Sequence, residues 1–94
     1  MTYPEPALEA VILAGETPVD PSVAKRLVAL ANKIRQVESL GLAEVPSTRL
    51  LVHVARLIAS GLPPRQACDV GLVPALTDDA ELATALRDLV ALVF

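Results

Sequence analysis

The sequence is poor in aromatic residues, cysteine and long apolar segments, and each shortage excludes a class of protein. Aromatic residues make up 2% of the 94 residues, so the chain has no aromatic platform on which nucleic-acid bases could stack. Its single cysteine, Cys68, excludes an intrachain disulfide and is typical of a reducing compartment. No apolar run approaches the roughly 20 residues of a membrane-spanning helix. The acidic Glu5 and Glu9 stand where a signal peptide would be basic. We therefore expect a cytoplasmic protein without a membrane segment.

The charges and glycines exclude two further classes. The formal net charge is -3, from eight basic and eleven acidic side chains, whereas a nucleic-acid-binding domain is usually basic. The four glycines, at positions 15, 41, 61 and 71, do not form the G-x-x-x-x-G-K-[ST] phosphate loop. No apolar strand ends in an acidic pair that could hold magnesium. This chain alone is therefore not expected to hydrolyse a nucleotide.

Apolar residues recur at helical spacing between proline and glycine signals. Because 53% of the residues are hydrophobic and few are aromatic, we expect a core of leucine, valine, alanine and isoleucine. The pattern predicts a compact all-α bundle of four to five short helices, forming one domain over residues 1–94. The first helix is predicted from about Glu5 to Ala14, with Leu8, Val11 and Ile12 on its core face.

The second helix has the clearest predicted start. Asp20 stands in the N-cap position before Pro21, and Gly41 marks the predicted end. Charged residues such as Lys25 and Lys33 lie outside the apolar stripe of this helix. The apolar stripe of this helix comprises Val23, Leu27, Leu30, Ile34 and Val37.

Two helices are predicted in the last third of the chain. One begins near Pro64 and is interrupted at Pro74. The other begins at TDDAE, where Asp78 is the predicted cap and Glu81 completes a capping box. This helix-start chemistry explains Asp78, Asp79 and Glu81 better than a metal-binding acidic cluster does. The predicted apolar positions are Ala67, Cys68 and Leu72 in the first helix and Leu82, Leu86, Leu89, Val90 and Val93 in the second.

The segment Pro46–Gly61, PSTRLLVHVARLIASG, contains one residue that local rules do not explain. Ser47 is the predicted N-cap, and the final glycine is a typical left-handed helix end. Arg49, however, lies in the first turn, where the helix dipole disfavours a cation. It shares a face with His53, Arg56 and Ser60, opposite the apolar side. A basic face that starts at a helix N-terminus can bind an anion such as phosphate, although a solvated polar face is the common alternative. The apolar side comprises Leu50, Leu51, Val54, Leu57 and Ile58.

Other candidate sites are weaker. His53 and Cys68 supply too few ligands for zinc, and as a nucleophile pair they would lack a third, orienting group. Cys68 is instead predicted to be a small buried side chain. The helix–turn–helix spacing of residues 47–72 would present Arg65 and Gln66 to a DNA groove. The acidic charge balance and the missing basic stripe argue against that interpretation.

Two segments that together cover most of the chain are DPSVAKRLVALANKIRQVESLGL and STRLLVHVARLIASGLPPRQACDVGLVPALTDDAELATALRDLV. In this order they resemble the C-terminal domain of the CbbQ/NirQ/NorQ group of MoxR-type AAA+ ATPases. The resemblance implies the helical lid that follows a nucleotide-binding core, so the chain would be a fragment of a longer ATPase that binds ATP and magnesium. In that group the arginine near the start of the third lid helix is the sensor-2 arginine, which reaches toward the nucleotide phosphates. The matching residue is Arg49, with Ser47, His53 and Arg56 as possible contacts beside it.

The resemblance also implies partners for the longer protein. These are a homo-oligomeric ring, a von Willebrand A-domain protein and a metalloenzyme client of the Rubisco or nitric oxide reductase type. Neither nucleic acid nor membrane is an implied partner. The alternative is a standalone helical interaction module that binds an acidic partner through the Arg49 face without ATP.

Overall fold

The computed structural model describes residues 3–36 and 45–94, and all regular secondary structure in these two ranges is helical. The predicted all-α bundle is confirmed. A single-turn helix containing Pro74 is additional to the five helices predicted. Val37 and Gly41, assigned above to the end of the second helix, lie outside the described residues. The helices are α1 (Pro6–Glu16), α2 (Pro21–Gln36), α3 (Thr48–Ala59), α4 (Pro64–Gly71), α5 (Val73–Leu76) and α6 (Ala80–Val93).

Helices α2 and α3 begin at the caps that the sequence predicts. The Asp20 carboxylate accepts a hydrogen bond from the Ser22 amide at 2.8 Å, which lowers the pKa of Asp20 below its ordinary value. The Ser47 hydroxyl accepts one from the Leu50 amide at 3.1 Å. In each case a side-chain oxygen satisfies a first-turn amide that has no acceptor within the helix.

The predicted cap of α6 is wrong by one residue. The N-cap is Asp79, whose Oδ1 accepts from the amides of Glu81 at 2.9 Å and Leu82 at 3.1 Å. Glu81 is consequently the second helical residue, so the predicted capping box with Asp78 does not form. Of the two consecutive acids, the later one reaches two free amides, and this decides where the helix starts.

The end of α3 is a Schellman motif, as the glycine predicts. Gly61 has a φ of 118°, and its amide donates to the Ile58 carbonyl at 3.0 Å. The Leu62 amide donates to the Leu57 carbonyl at 3.2 Å, which completes the motif. The chain then turns back, so that α4 packs on α3. The two helices approach closely at Gly71, where an added Cβ would lie 2.7 Å from Leu57 Cδ1.

The core is aliphatic and is centred on α2, which contacts α1, α3 and α6. Predicted stripe residues Leu27, Leu30 and Ile34 are buried, and α6 contributes Leu86 and Val90. No helix in the described part of the chain is long and apolar enough to span a bilayer. The remaining buried apolar side chains are Ala10, Leu13, Val19, Ala24, Val28, Ala31, Leu51, Val54, Ala55, Ala67, Cys68, Leu72, Val73 and Leu76.

The predicted core face of α1 is wrong. Leu8 and Val11 are 54% and 66% exposed, whereas Glu9, Ala10 and Leu13 face the interior. Nearly every residue of α1 is apolar, so its periodicity does not distinguish one face from another. The carboxylate of Glu9 selects the buried face, because its partners lie in the interior.

Candidate functional site

A groove of about 470 Å³ lies between α1 and α3, and it gathers three of the predicted site residues. Arg49, His53 and Arg56 all line it and are all exposed. Their spacing along α3 places them on one wall. The other lining residues are Ile12 and Glu16 from α1 and Thr48 and Val52 from α3.

Arg49 is the second residue of α3, and none of the ion pairs among the described residues includes it. Ser47 occupies the Leu50 amide, but the helix provides no acceptor for the amides of Thr48 and Arg49. Among the described residues, the helix start therefore combines a guanidinium with first-turn amides that have no acceptor within the helix. This concentration of positive charge favours an anion from outside the domain.

The other predicted contacts differ in their surroundings. Arg56 Nη2 lies 4.0 Å from Glu16 Oε2, and both side chains are more than half exposed, so this pair contributes little to stability. It does place a carboxylate in the lining of the groove. Ser47 does not line the groove, because its hydroxyl caps the helix.

Behind the Arg49 turn lies a buried ion pair that the sequence analysis missed. Glu9 is completely buried and the Arg35 side chain is 6% exposed. Arg35 donates to both Glu9 oxygens, each at 2.8 Å. Thr48 Oγ1 donates to Glu9 Oε2 at 2.8 Å, and Arg35 Nε donates to the Pro46 carbonyl at 2.9 Å. These bonds join α1 and α2 to the start of α3.

Two further contacts complete what we call the Glu9–Arg35 network: Tyr3, Glu9, Asn32, Arg35, Pro46 and Thr48. Arg35 Nη1 also donates to Asn32 Oδ1 at 3.1 Å, and the guanidinium carbon lies 3.7 Å from the Tyr3 ring centroid. Burial of Glu9 acts to raise its pKa, but hydrogen bonds from Arg35 and Thr48 and the Arg35 charge outweigh burial and lower the pKa below 4.5. In the described residues, no buried side-chain nitrogen or oxygen lacks a partner.

The signal for Arg35 was present in the sequence. Arg35 follows Val28 by seven residues and Ala31 by four, so it continues a line of buried positions along α2. A charged residue at a core position must be paired. The sequence indicates the need for a carboxylate, although it does not identify Glu9.

The remaining candidate residues are buried or paired in ways that serve the fold rather than a site. Cys68 is buried, which raises the pKa of its thiol to about 12 and opposes thiolate chemistry. Arg65, considered above for DNA contact, lies over α6, with Nη2 3.5 Å from the Ala91 carbonyl. Asp69 on the same helix pairs with Arg87 at 2.5 Å. Within residues 3–36 and 45–94, no group of three or more His, Cys, Asp or Glu side chains could hold a metal ion.

Cys68 should be unreactive in the folded chain. With a pKa of about 12, its thiolate is scarce at pH 8, and the packed core blocks access of a reagent. We expect negligible labelling by iodoacetamide in buffer over an hour and complete labelling in 6 M guanidinium, measured by intact mass. Rapid labelling of the folded chain would contradict the buried position.

Comparison with known proteins agrees with the resemblance noted above. The model of the CbbQ/NirQ/NorQ C-terminal family matches residues 9–93. The denitrification regulatory protein NirQ of Pseudomonas aeruginosa is 47% identical over 90 residues, covering 96% of this chain and 35% of the relative. The protein CbbQ of Hydrogenophilus thermoluteolus is 45% identical over 85 residues, which cover 90% of this chain and 32% of the relative.

A third relative extends the match to nearly the full chain. The protein NorQ of Paracoccus denitrificans is 42% identical over 92 residues, which cover 98% of this chain and 34% of the relative. The chain thus spans about a third of the length of the curated relatives it matches. With the family model covering most of its residues, this chain belongs to the CbbQ/NirQ/NorQ C-terminal family.

Proposed function

We propose that this domain is the helical lid of a MoxR-type AAA+ ATPase and that Arg49 is its sensor-2 arginine. The observation that carries the proposal is the exposed Arg49 guanidinium at the first turn of α3, which has no carboxylate partner among the described residues. A cation is unfavourable at that turn unless an anion joins it. The phosphates of a nucleotide would supply that anion.

Around Arg49 the groove offers a phosphate group positive charge and hydrogen-bond donors, whereas Arg56 in the same groove already has Glu16 as a partner. Arg49 offers a planar set of N–H donors, and the first-turn amides of α3 lie beside it. His53 and Arg56 line the same groove. In this proposal ATP and Mg²⁺ are held by the ATPase core, and the lid contributes positive charge to the transferring phosphoryl group. Closure of the lid would couple the state of the nucleotide to the angle between lid and core.

The wider activity belongs to the longer protein. We propose that it forms a homo-oligomeric ring in the cytoplasm and acts with a von Willebrand A-domain protein on a metalloenzyme client, of the nitric oxide reductase or Rubisco type. The family membership supports this assignment. The name of the NirQ relative, a denitrification regulatory protein, is consistent with a regulatory role but does not select a client.

Substitution of Arg49 in the full-length natural protein tests the proposal. We expect Arg49→Ala to lower kcat/KM for ATP by at least about tenfold, because a charge that acts on the transferring phosphoryl group is lost. Arg49→Lys should recover only part of the activity, since it keeps the charge but not the bidentate geometry. ATPase activity is measured at saturating and limiting ATP.

Arg26→Ala is the matched control, because Arg26 is also an exposed helical arginine but lies on α2, away from the groove. It should leave kcat/KM within about twofold. If Arg49→Ala hydrolyses ATP normally, the sensor-2 assignment is wrong. If that variant also loses binding to an acidic protein partner, the alternative of an interaction module is supported.

A further inference from the structure

We infer that the Glu9–Arg35 network positions Arg49: it fixes the start of α3 against α1 and α2 and thereby sets the direction of the Arg49 guanidinium. The inference rests on the proposed function, because it assigns Thr48, Glu9 and Arg35 as positioning residues for that same site. None of the three needs to touch the nucleotide.

The bonds of the network end on both sides of the α3 cap. Arg35, from α2, binds the carbonyl of Pro46, and Glu9, from α1, binds the hydroxyl of Thr48. Ser47, between these two residues, caps the helix from within. The cap alone fixes the first turn relative to its own helix. The two flanking bonds fix that turn relative to the rest of the domain, and Arg49 is the next residue.

Thr48 connects the buried pair to the groove directly. It is one of the residues that line the groove, and its hydroxyl donates to Glu9 Oε2 at 2.8 Å. A displacement of the Glu9 carboxylate would therefore displace Thr48, the residue next to Arg49. Tyr3, which precedes α1, stacks against the Arg35 guanidinium and extends the same connection to the residues just before α1.

The chemistry of the pair favours positioning over stabilisation. Burying two charges has a large desolvation cost, and an apolar pair of similar volume is often as stable. Directional hydrogen bonds, by contrast, hold groups at defined distances and angles, and the bidentate contact of Arg35 with Glu9 leaves little freedom of rotation. A catalytic cation displaced by about 1 Å can lose up to roughly 100-fold in rate.

A Thr48 series in the full-length natural protein tests the inference. Thr48→Val removes the hydroxyl and keeps the branched shape, and Glu9 retains both bonds from Arg35, so the fold should persist. We expect kcat/KM for ATP to fall by about threefold to tenfold. Thr48→Ser keeps the hydroxyl and should remain within about twofold of the natural protein. Melting temperatures of all variants are measured in parallel.

The second arm repeats Thr48→Val in an Arg49→Ala background. If Thr48 acts through Arg49, the second substitution should change kcat/KM by less than about twofold, whereas a merely structural role would reduce activity equally in both backgrounds. Equal reduction overturns the inference. If Arg49→Ala lowers kcat/KM for ATP but Thr48→Val does not, the inference is also overturned, whereas the proposed function remains intact. An inert Arg49→Ala overturns both.

Discussion

Replacing Arg35 with alanine should lower the free energy of unfolding of the chain by about 3–5 kcal/mol at pH 7. The substitution removes the partner of a carboxylate that is completely buried, and it also frees the carbonyl of Pro46. An unpaired buried charge costs far more than the intact pair contributes. Denaturant unfolding followed by helical circular dichroism gives the change directly. Arg26→Ala, an exposed arginine on the same helix, should stay within about 0.5 kcal/mol of the natural chain.

The pH dependence of this variant identifies the charge as the cause. In the natural chain the pKa of Glu9 is lower folded than unfolded, so the pair contributes stability that is present above the ordinary value of 4.5 and is lost as pH falls through the folded pKa. Without Arg35, burial should raise the pKa of Glu9 above its ordinary value. Protonation then removes the unpaired charge. The penalty of Arg35→Ala should therefore be smaller at pH 4 than at pH 7.

A double substitution separates charge from packing. Glu9→Leu with Arg35→Met replaces the pair with apolar side chains, and it should recover most of the stability lost in Arg35→Ala. A penalty for Arg35→Ala that is the same at both pH values, or that the double variant does not relieve, would indicate that packing of the Arg35 stem is the main contribution.

The helices were predictable where local chemistry determines them. The Asp20–Pro21 start and the leucine spacing of α2 define both its beginning and its buried face. For α3, the Ser47 cap defines the beginning and Gly61 defines the end. These signals act over one or two turns, which is the range that a sequence pattern covers. The predicted start of α6 was wrong because two adjacent acids satisfy the same local capping rule.

The interior of the site could not be predicted, because its partners are distant in sequence. Arg35 is 26 residues from Glu9, and Thr48 is 39 residues from it. Because α1 is almost uniformly apolar, its predicted core face was wrong. The position of Glu16 beside Arg56 was therefore not predicted either. Arg49 could be singled out from the sequence, because a cation in a first turn conflicts with the helix dipole and the conflict is visible locally. Its role at a site stays a prediction. Conflicts of this kind are expected at functional sites.

Two leucines of α6 provide the second large predicted effect and its own control. Leu86 is 1% exposed in the core, and Leu92 is 76% exposed on the same helix. Leu86→Ala should lower the free energy of unfolding by about 2–5 kcal/mol, through lost burial and the cavity that remains. Leu92→Ala should change it by less than about 0.5 kcal/mol. Helix propensity changes equally in both, so the difference isolates burial.

Concentration dependence extends this test to the exposed surface. Unfolding of both variants is measured at two protein concentrations tenfold apart. A cost of Leu92→Ala that approaches the cost of Leu86→Ala, and that grows with concentration, would mean that a second copy covers this end of α6 in solution. If the cost of Leu92→Ala stays small at both concentrations while Leu86→Ala is severe, α6 is held by its contacts with α2, α4 and α5, and its outer face is free. That outcome is the one we expect, because a lone exposed leucine is ordinary on a protein surface.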